Sequence, residues 1–308
     1  MTRTALKMES LEAREVMSNV TVSVVNGDLM VTGGEGEELI QINQIDHDSY
    51  RVTAIHGTAL NGTYPSRWSF TDLVEADFHG VTDDIRIDLR GGDDSVEIGS
   101  YHNGVLHGTT VDVPDDLVVN LGSGNDDLTV NFTKVGDDAW LNGSGYGDDT
   151  FISSYSSTGR RTTHGNLAAD EFESVAVSDL DVEQDFTVTN ESTSAAQYVS
   201  IREVNVGDDL RIRTGGGRDE VRIRHLDVAD EVDLFTGNEP WHMFGGDVIS
   251  IADSDLGRHL EVKTGSGDDS LTLDDVSGGV AFLHGEGGSD DLRFQGRVQF
   301  SSIHTGSF

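Results

Sequence analysis

The chain has 308 residues, with 56 acids against 20 lysines and arginines and a formal net charge of -36. Such a field repels nucleic acid and anionic membrane, excluding both as main partners, and favours divalent cations, cationic surfaces or a saline habitat. No cysteine is present, so disulfides and thiolate metal sites are excluded, and no apolar run is long enough for membrane insertion as a helix.

Residues 1–20 form a separate N-terminal segment. It has basic residues but lacks the apolar stretch of an ordinary secretory signal. Thr4 to Met17 is rich in helix formers and suits a short cap over the open end of a repeat fold. The run Met8-Glu9-Ser10-Leu11-Glu12-Ala13-Arg14-Glu15-Val16-Met17-Ser18 resembles the L-E-x-R-x-L-L-S segment that opens many large exported bacterial repeat proteins. It departs from that pattern at Ala13, before Arg14, and at Val16-Met17, where two leucines are usual. The resemblance implies export and an extracellular or cell-surface location.

From residue 21 to 308 one short phrase recurs: glycine, any residue, an acid, any residue, then an apolar residue. It reads Gly36-Glu37-Glu38-Leu39-Ile40, Gly92-Asp93-Asp94-Ser95-Val96, Gly124-Asn125-Asp126-Asp127-Leu128 and Gly147-Asp148-Asp149-Thr150-Phe151. It returns around Asp219, Asp247, Asp269 and Asp290. The acids at 126, 149, 219, 247, 269 and 290 are separated by 23, 70, 28, 22 and 21 residues, so a repeat of about 22 governs the second half. The intervals from 38 to 94 and from 94 to 126 require inserted loops. Between 150 and 218 the glycine disappears, but Phe172, Val175, Val177, Phe186, Val188, Val199 and Ile201 continue the pattern.

Inside each unit apolar residues alternate, as in Ile85, Ile87 and Leu89, Leu117, Val119 and Leu121, or Val221 and Ile223. Period-two alternation in short runs means strands with one buried face. Each unit holds two clear strands and a short third, such as Leu226 and Val228. Hairpins of this patterning also fit a sandwich or a propeller, but the units are too short for a four-stranded blade. The expected fold is all-β: one right-handed parallel β-helix domain of about 22 residues per coil and roughly ten coils.

The segment Leu121-Gly122-Ser123-Gly124-Asn125-Asp126-Asp127-Leu128-Thr129 resembles the calcium-binding nonapeptide G-G-x-G-x-D-x-U-x of RTX (repeats-in-toxin) proteins. Two further turns, 213–221 and 264–271, are similar to it. The first glycine is usually missing, and the phrase comes once per unit rather than in tandem. The resemblance implies Ca²⁺ held by Asp94, Asp126, Asp149, Asp219, Asp247, Asp269 and Asp290. Electrostatics points the same way. Carboxylates stacked about 4.8 Å apart repel by roughly 1 kcal/mol in water and 3 to 4 at an effective dielectric near 20. Either they splay into water or cations sit between them. Two alternatives stay open: Asp and Gly serve only as turn formers, or monovalent salt screens the columns. A second acidic corner, with Asp83-Asp84, Asp115-Asp116, Asp137-Asp138 and Asp208-Asp209, reads as a turn.

Arginines concentrate at Arg211, Arg213, Arg218, Arg222 and Arg224, alternating along two strands. With Trp241 in a nearby insertion, Arg211, Arg213, Arg222 and Arg224 are candidate carbohydrate-binding residues; local charge neutralisation is the simpler account. Insertions at 99–112, 153–168 and 237–244 are placed to wall a groove. No nucleophile constellation, phosphate loop or zinc signature is present. The sequence therefore reads as a non-catalytic surface, matrix or adhesion module that binds divalent cations and meets polysaccharide or other surface proteins. The alternative is a β-helix lyase or hydrolase acting on an acidic polysaccharide.

Overall fold

Apolar alternation becomes buried alternation. In the computed structural model, strand Glu220–Val228 buries Val221, Ile223, Leu226 and Val228 and turns Arg222, Arg224 and Asp227 outward. The structure describes residues 18–63, 73–99, 101–102, 105–106, 110–143, 148–154, 162–190, 196–237 and 246–308. Among them there is no helix, and 25 strands form one nearly closed sheet around a continuous apolar core. The N-terminal export-type segment, apart from its last residues, lies outside the described residues.

Two parallel ladders dominate the sheet. In one, Leu117 pairs with Ala139, Ala139 with Leu167, Leu167 with Phe186, Phe186 with Leu210, and Leu210 with Val232. In the other, Leu128 pairs with Phe151, Phe151 with Val175, Val175 with Val199, Val199 with Val221, and Val221 with Ile249. Residues of equal rank in successive repeats, or rungs, therefore lie side by side, and apolar columns fill the interior. The stretch between 150 and 218, without its glycines, keeps both ladders. A strand needs the buried alternation, not the turn residue, to hold its register.

The short third apolar pair is a separate strand in the earlier rungs, as at Val111–Val113 and Thr133–Val135, which pair in parallel. From Ser174 onward it continues the preceding strand past a bend, made by a residue in the left-handed region. Asp179 (φ 56°), Glu203 (φ 55°), His225 (φ 53°), Asp253 (φ 51°) and Asp275 (φ 50°) repeat this bend in successive rungs. Each adds a local backbone cost of about 1 kcal/mol that the packing on either side must exceed.

The N-terminal part departs from the parallel pairing expected from residue 21 onward. Asn19–Val25 pairs antiparallel with Asp28–Thr32, and Leu39–Asp46, Ser49–Ala54 and Val74–His79 form an antiparallel run. The first reversal is a two-residue turn at Asn26 (φ 57°) and Gly27 (φ 108°), the conformation an Asn-Gly pair favours between twisted strands. This run occupies the interval between Glu38 and Asp94. The next interval contains a short antiparallel pair, Tyr101–His102 with Val105–Leu106.

The recurring glycine has a steric reason. At Gly124 (φ 149°) a Cβ would lie 1.7 Å from the carbonyl oxygen of Gly92 in the neighbouring rung. At Gly288 (φ 142°) it would lie 1.6 Å from that of Gly267. Only glycine lets adjacent turns stack this closely. Gly124→Ala is expected to lower stability by about 2 kcal/mol or more in urea unfolding. Gly57→Ala is the control, because Gly57 (φ 95°) has open space around it; it is expected to cost only about 1 kcal/mol of backbone strain.

Candidate metal centre

The acid of the glycine phrase does not project into solvent. Asp94, Asp126, Asp149, Asp219, Asp247 and Asp269 are each at most 2% exposed, and Asp290 in the last rung is half-buried. They stand in one column along the second ladder, each just before a strand.

Backbone amides bind one oxygen of every carboxylate. The Asp94 N–H donates to Asp126 Oδ1 at 2.7 Å, and the Asp126 N–H to Asp149 Oδ1 at 2.9 Å. Asp219 N–H donates to Asp247 Oδ1 at 2.7 Å, Asp247 N–H to Asp269 Oδ1 at 2.8 Å, and Asp269 N–H to Asp290 Oδ1 at 3.1 Å. Each of these aspartates thus caps an amide of the rung before it, and all but Asp290 have their own amide capped by the rung after.

Glu38, the acid of the first glycine phrase but not among the expected ligands, is completely buried, begins the column and donates its N–H to Asp94 Oδ1 at 2.7 Å. Two further members escaped the sequence reading. Glu173 Oε2 accepts from the Asp149 N–H at 2.9 Å, and the Gln197 N–H donates to Asp219 Oδ1 at 2.9 Å. Glu173 and Gln197 fill the long gap between Asp149 and Asp219, separated from Asp149 and Asp219 by 24 and 22 residues. Spacing was the available signal. The missing glycine and the longer side chains concealed it.

At several of these acids the remaining carboxylate oxygens have no hydrogen-bond partner. Oδ2 of Asp94, Asp126, Asp149 and Asp290 and both carboxylate oxygens of Glu38 are buried in this state. Burial pushes the Asp94 carboxyl up to about 8, with repulsion from Glu38 and Asp126 adding to it. Burial likewise raises Asp149 to about 8, with Asp126, Glu173 and Asp148 adding repulsion, and Asp219 to about 6. Burial raises Glu38, Asp126 and Asp269 as well, against the lowering effect of the amide hydrogen bonds. The amides thus stabilise the charged form only in part. Each of these carboxyls is balanced either by a proton, as the raised pKa values favour, or by a cation, and a hard cation accepts an all-oxygen donor set of this kind.

The opposite corner is built by the same device in reverse. Asp84 Oδ1 accepts from the Asp116 N–H at 2.9 Å, Asp116 Oδ1 from Asp138 N–H at 3.1 Å, and Asp138 Oδ1 from Asn166 N–H at 3.0 Å. Asp185 Oδ1 accepts from Asp209 N–H at 3.2 Å and Asp209 Oδ1 from Glu231 N–H at 3.0 Å. Here each acid caps the rung that follows. Among the described residues, the carboxylate groups close enough to share one ion all lie at this corner: Asp28, Asp83 and Asp84; Asp115, Asp116 and Asp137; and Asp185, Asp208 and Asp209. None includes an aspartate of the interior column. Arginines answer two of the three groups. Arg86 pairs with Asp84 and lies 3.7 Å from Asp28, and Arg211 pairs with Asp209 and lies 3.1 Å from Asp185.

The arginine run divides between the two ladders. Arg211 and Arg213 lie on Leu210–Thr214, Arg211 in the acidic corner just described and Arg213 3.7 Å from Asp233. Arg222 and Arg224 lie on the other ladder, Arg222 paired with Glu220 and Arg224 3.2 Å from Asp253. Arg222 also stands over the Tyr198 ring, 5.9 Å from its centre. Together with Tyr198, Arg202, Ser250 and Thr272, Arg222 and Arg224 line an open cavity of about 390 Å³, to which Arg211 and Arg213 do not contribute. Trp241, and most of the three insertions expected to wall a groove, lie outside the described residues.

Asp94 and Asp149 have pKa values in the folded chain well above the ordinary 3.8. The folded state therefore holds protons that the unfolded state releases, and stability falls as pH rises from about 4 to about 8. Metal-stripped protein at low ionic strength is expected to melt at progressively lower temperature across that window. Asp149→Asn keeps an oxygen for the Asp126 amide and removes the charge, so it is expected to flatten the decline. No protein-family model, curated protein or solved structure matches the chain, so the reading of this site rests on its own residues.

Proposed function

We propose that the chain is an exported, non-catalytic β-solenoid that Ca²⁺ stabilises, acting as a surface, matrix or adhesion module. The two ladders are the walls of a right-handed parallel β-helix of roughly ten coils. The handedness follows the strong preference of parallel crossovers, and the ten positions of the column from Glu38 to Asp290 match the coil number.

One observation carries this reading: a column of buried carboxylates in which the second oxygens of Asp94, Asp126, Asp149 and Asp290 have no hydrogen-bond partner. Repeated orphaned acids inside a core are costly unless something charged or protic joins them. Asp94, Asp126, Asp149, Asp219, Asp247, Asp269 and Asp290 would hold the ions, with Glu38 and Glu173 as further oxygen donors. Bound Ca²⁺ supplies neutralising charge between rungs. The chain's own residues do the rest: the amides fix one carboxylate oxygen, and the turn glycines bring neighbouring turns together. A column enclosed in the core offers no surface to a substrate, which favours a structural role over catalysis. Export and a cell-surface location rest on the N-terminal resemblance, and polysaccharide or other surface proteins are the partners such a module would meet.

Thermal unfolding of metal-stripped protein, with Ca²⁺, Mg²⁺ and NaCl titrated separately, tests the proposal. Submillimolar Ca²⁺ is expected to raise the melting temperature where equal Mg²⁺ or matched ionic strength does not. Free ligand at one hundred times its dissociation constant adds about 2.7 kcal/mol per site. Stabilisation by bulk salt alone would return the glycine phrase to a turn-forming role.

The cavity beside Arg222, Arg224 and Tyr198 favours one second reading, a β-helix enzyme acting on an acidic polysaccharide. In that case Arg222→Ala with Arg224→Ala abolishes uronate binding or turnover. The same double variant leaves Ca²⁺ stabilisation unchanged.

A further inference from the structure

Glu38 stands apart from the aspartates of the interior column. At Asp94, Asp126, Asp149, Asp219, Asp247, Asp269 and Asp290 a backbone amide of a neighbouring rung holds one carboxylate oxygen. Glu38 is completely buried, and among the described residues neither of its oxygens has a hydrogen-bond partner. The Gly34 and Asn19 amides and the Ser18 hydroxyl lie near enough to favour its charged form without reaching hydrogen-bond geometry. The Glu38 and Asp94 carboxyls interact directly. Three buried oxygens thus gather here without a partner: Glu38 Oε1 and Oε2 and Asp94 Oδ2.

Space is left beside them. A Cβ at Gly33 would lie 3.0 Å from both Glu38 Oε2 and the Leu89 carbonyl oxygen. Gly33 is not in the left-handed region, so its missing side chain answers to space rather than to backbone conformation. The exposed acids Glu35, Glu37 and Asp93 flank the same turns and draw cations toward them. Ca²⁺ takes roughly six to eight oxygens and accepts a bidentate carboxylate, whereas Mg²⁺ demands a tighter octahedron. Between Asp94 and Asp126, or Asp126 and Asp149, each acid offers a single oxygen, because an amide holds the other.

Building on the column as a Ca²⁺ binder, we infer that Glu38 and Asp94 form its tightest site, with Glu38 as a bidentate ligand, and that the ion fastens the antiparallel run to the parallel ladder. The topology gives the ion this role. Glu38 immediately precedes Leu39–Asp46, which opens the antiparallel run, and Asp94 immediately precedes Ser95–Ile98, which continues the ladder. The two strands pair in parallel, although 56 residues separate the acids. An ion held by both acids closes that long loop at its base.

Calorimetric titration of metal-stripped protein with Ca²⁺, joined to amide hydrogen exchange, tests this. Glu38→Gln keeps the shape of the side chain and is expected to weaken the tightest binding event by at least about tenfold, the scale on which loss even of an outer partner of a metal ligand is felt. Asp94→Asn keeps an oxygen for the Glu38 amide and is expected to do the same, so it decides the matter if Glu38→Gln fails to fold. Glu97→Gln removes an acid of the strand Ser95–Ile98 that Gln41 already binds, and leaves the event unchanged. Ca²⁺ is expected to slow exchange in Leu39–Asp46 and Ser49–Ala54 of the wild-type chain and of Asp269→Asn, but not of Glu38→Gln. Wild-type affinity in Glu38→Gln, or persistence of that protection in it, overturns the inference and leaves the Ca²⁺ role of the column standing. If the wild-type chain binds no Ca²⁺, the two fall together.

Discussion

Register between parallel rungs is the constraint from which the rest of the structure follows. Each strand bonds to its counterpart one repeat further on, so whatever residue occupies a position is repeated beside itself along the ladder. For apolar residues this is favourable, since columns such as Leu128, Phe151, Val175 and Val199 fill a continuous core. For glycine it permits turn-to-turn contact that a Cβ would forbid. For aspartate it produces a line of like charges, a problem the fold must solve at every step.

The solution is shared between backbone and solvent, and differently at the two corners. In both, one carboxylate oxygen accepts an amide hydrogen across the rung boundary, toward the preceding rung at the interior column and toward the following rung at the outer corner. These bonds join each rung to its neighbour at two points besides the strand ladder. At the outer corner the second oxygen reaches water or an arginine such as Arg86 or Arg211. Among the described residues no ion pair is seen at Asp94, Asp126 or Asp149 of the interior column, and burial raises the carboxyl pKa values. That difference gives the interior column its demand for a proton or cation. At the outer corner the acids lie closer together, and two of the three groups meet an arginine.

Much of this was legible in the chain. Alternation such as Ile85, Ile87 and Leu89 is a local consequence of strand geometry and survives in any context. The glycine phrase marked where rungs meet, and its spacing indicated the repeat. Asn26-Gly27 announced a hairpin too, although the repeat drew attention away from it. Other features had no local signature. Glu173 and Gln197 join the column because their rung places them there, not through any neighbouring glycine. The left-handed bend at Glu203 lies within a packed strand, and glutamate does not advertise that conformation. Arg211 and Arg222 look like members of one run in the sequence, yet they lie on different ladders.

By itself the sequence determined the all-β character, the repeat length, the apolar columns and the acid that recurs at each turn, because each depends on residue type at a short, regular spacing. Only the tertiary structure decided that this acid lies inside, capped by the preceding rung, while most acids of the other corner keep some contact with water. Burial is a property of the stacked assembly: a turn aspartate has the same local sequence whether its side chain points toward the core or away from it.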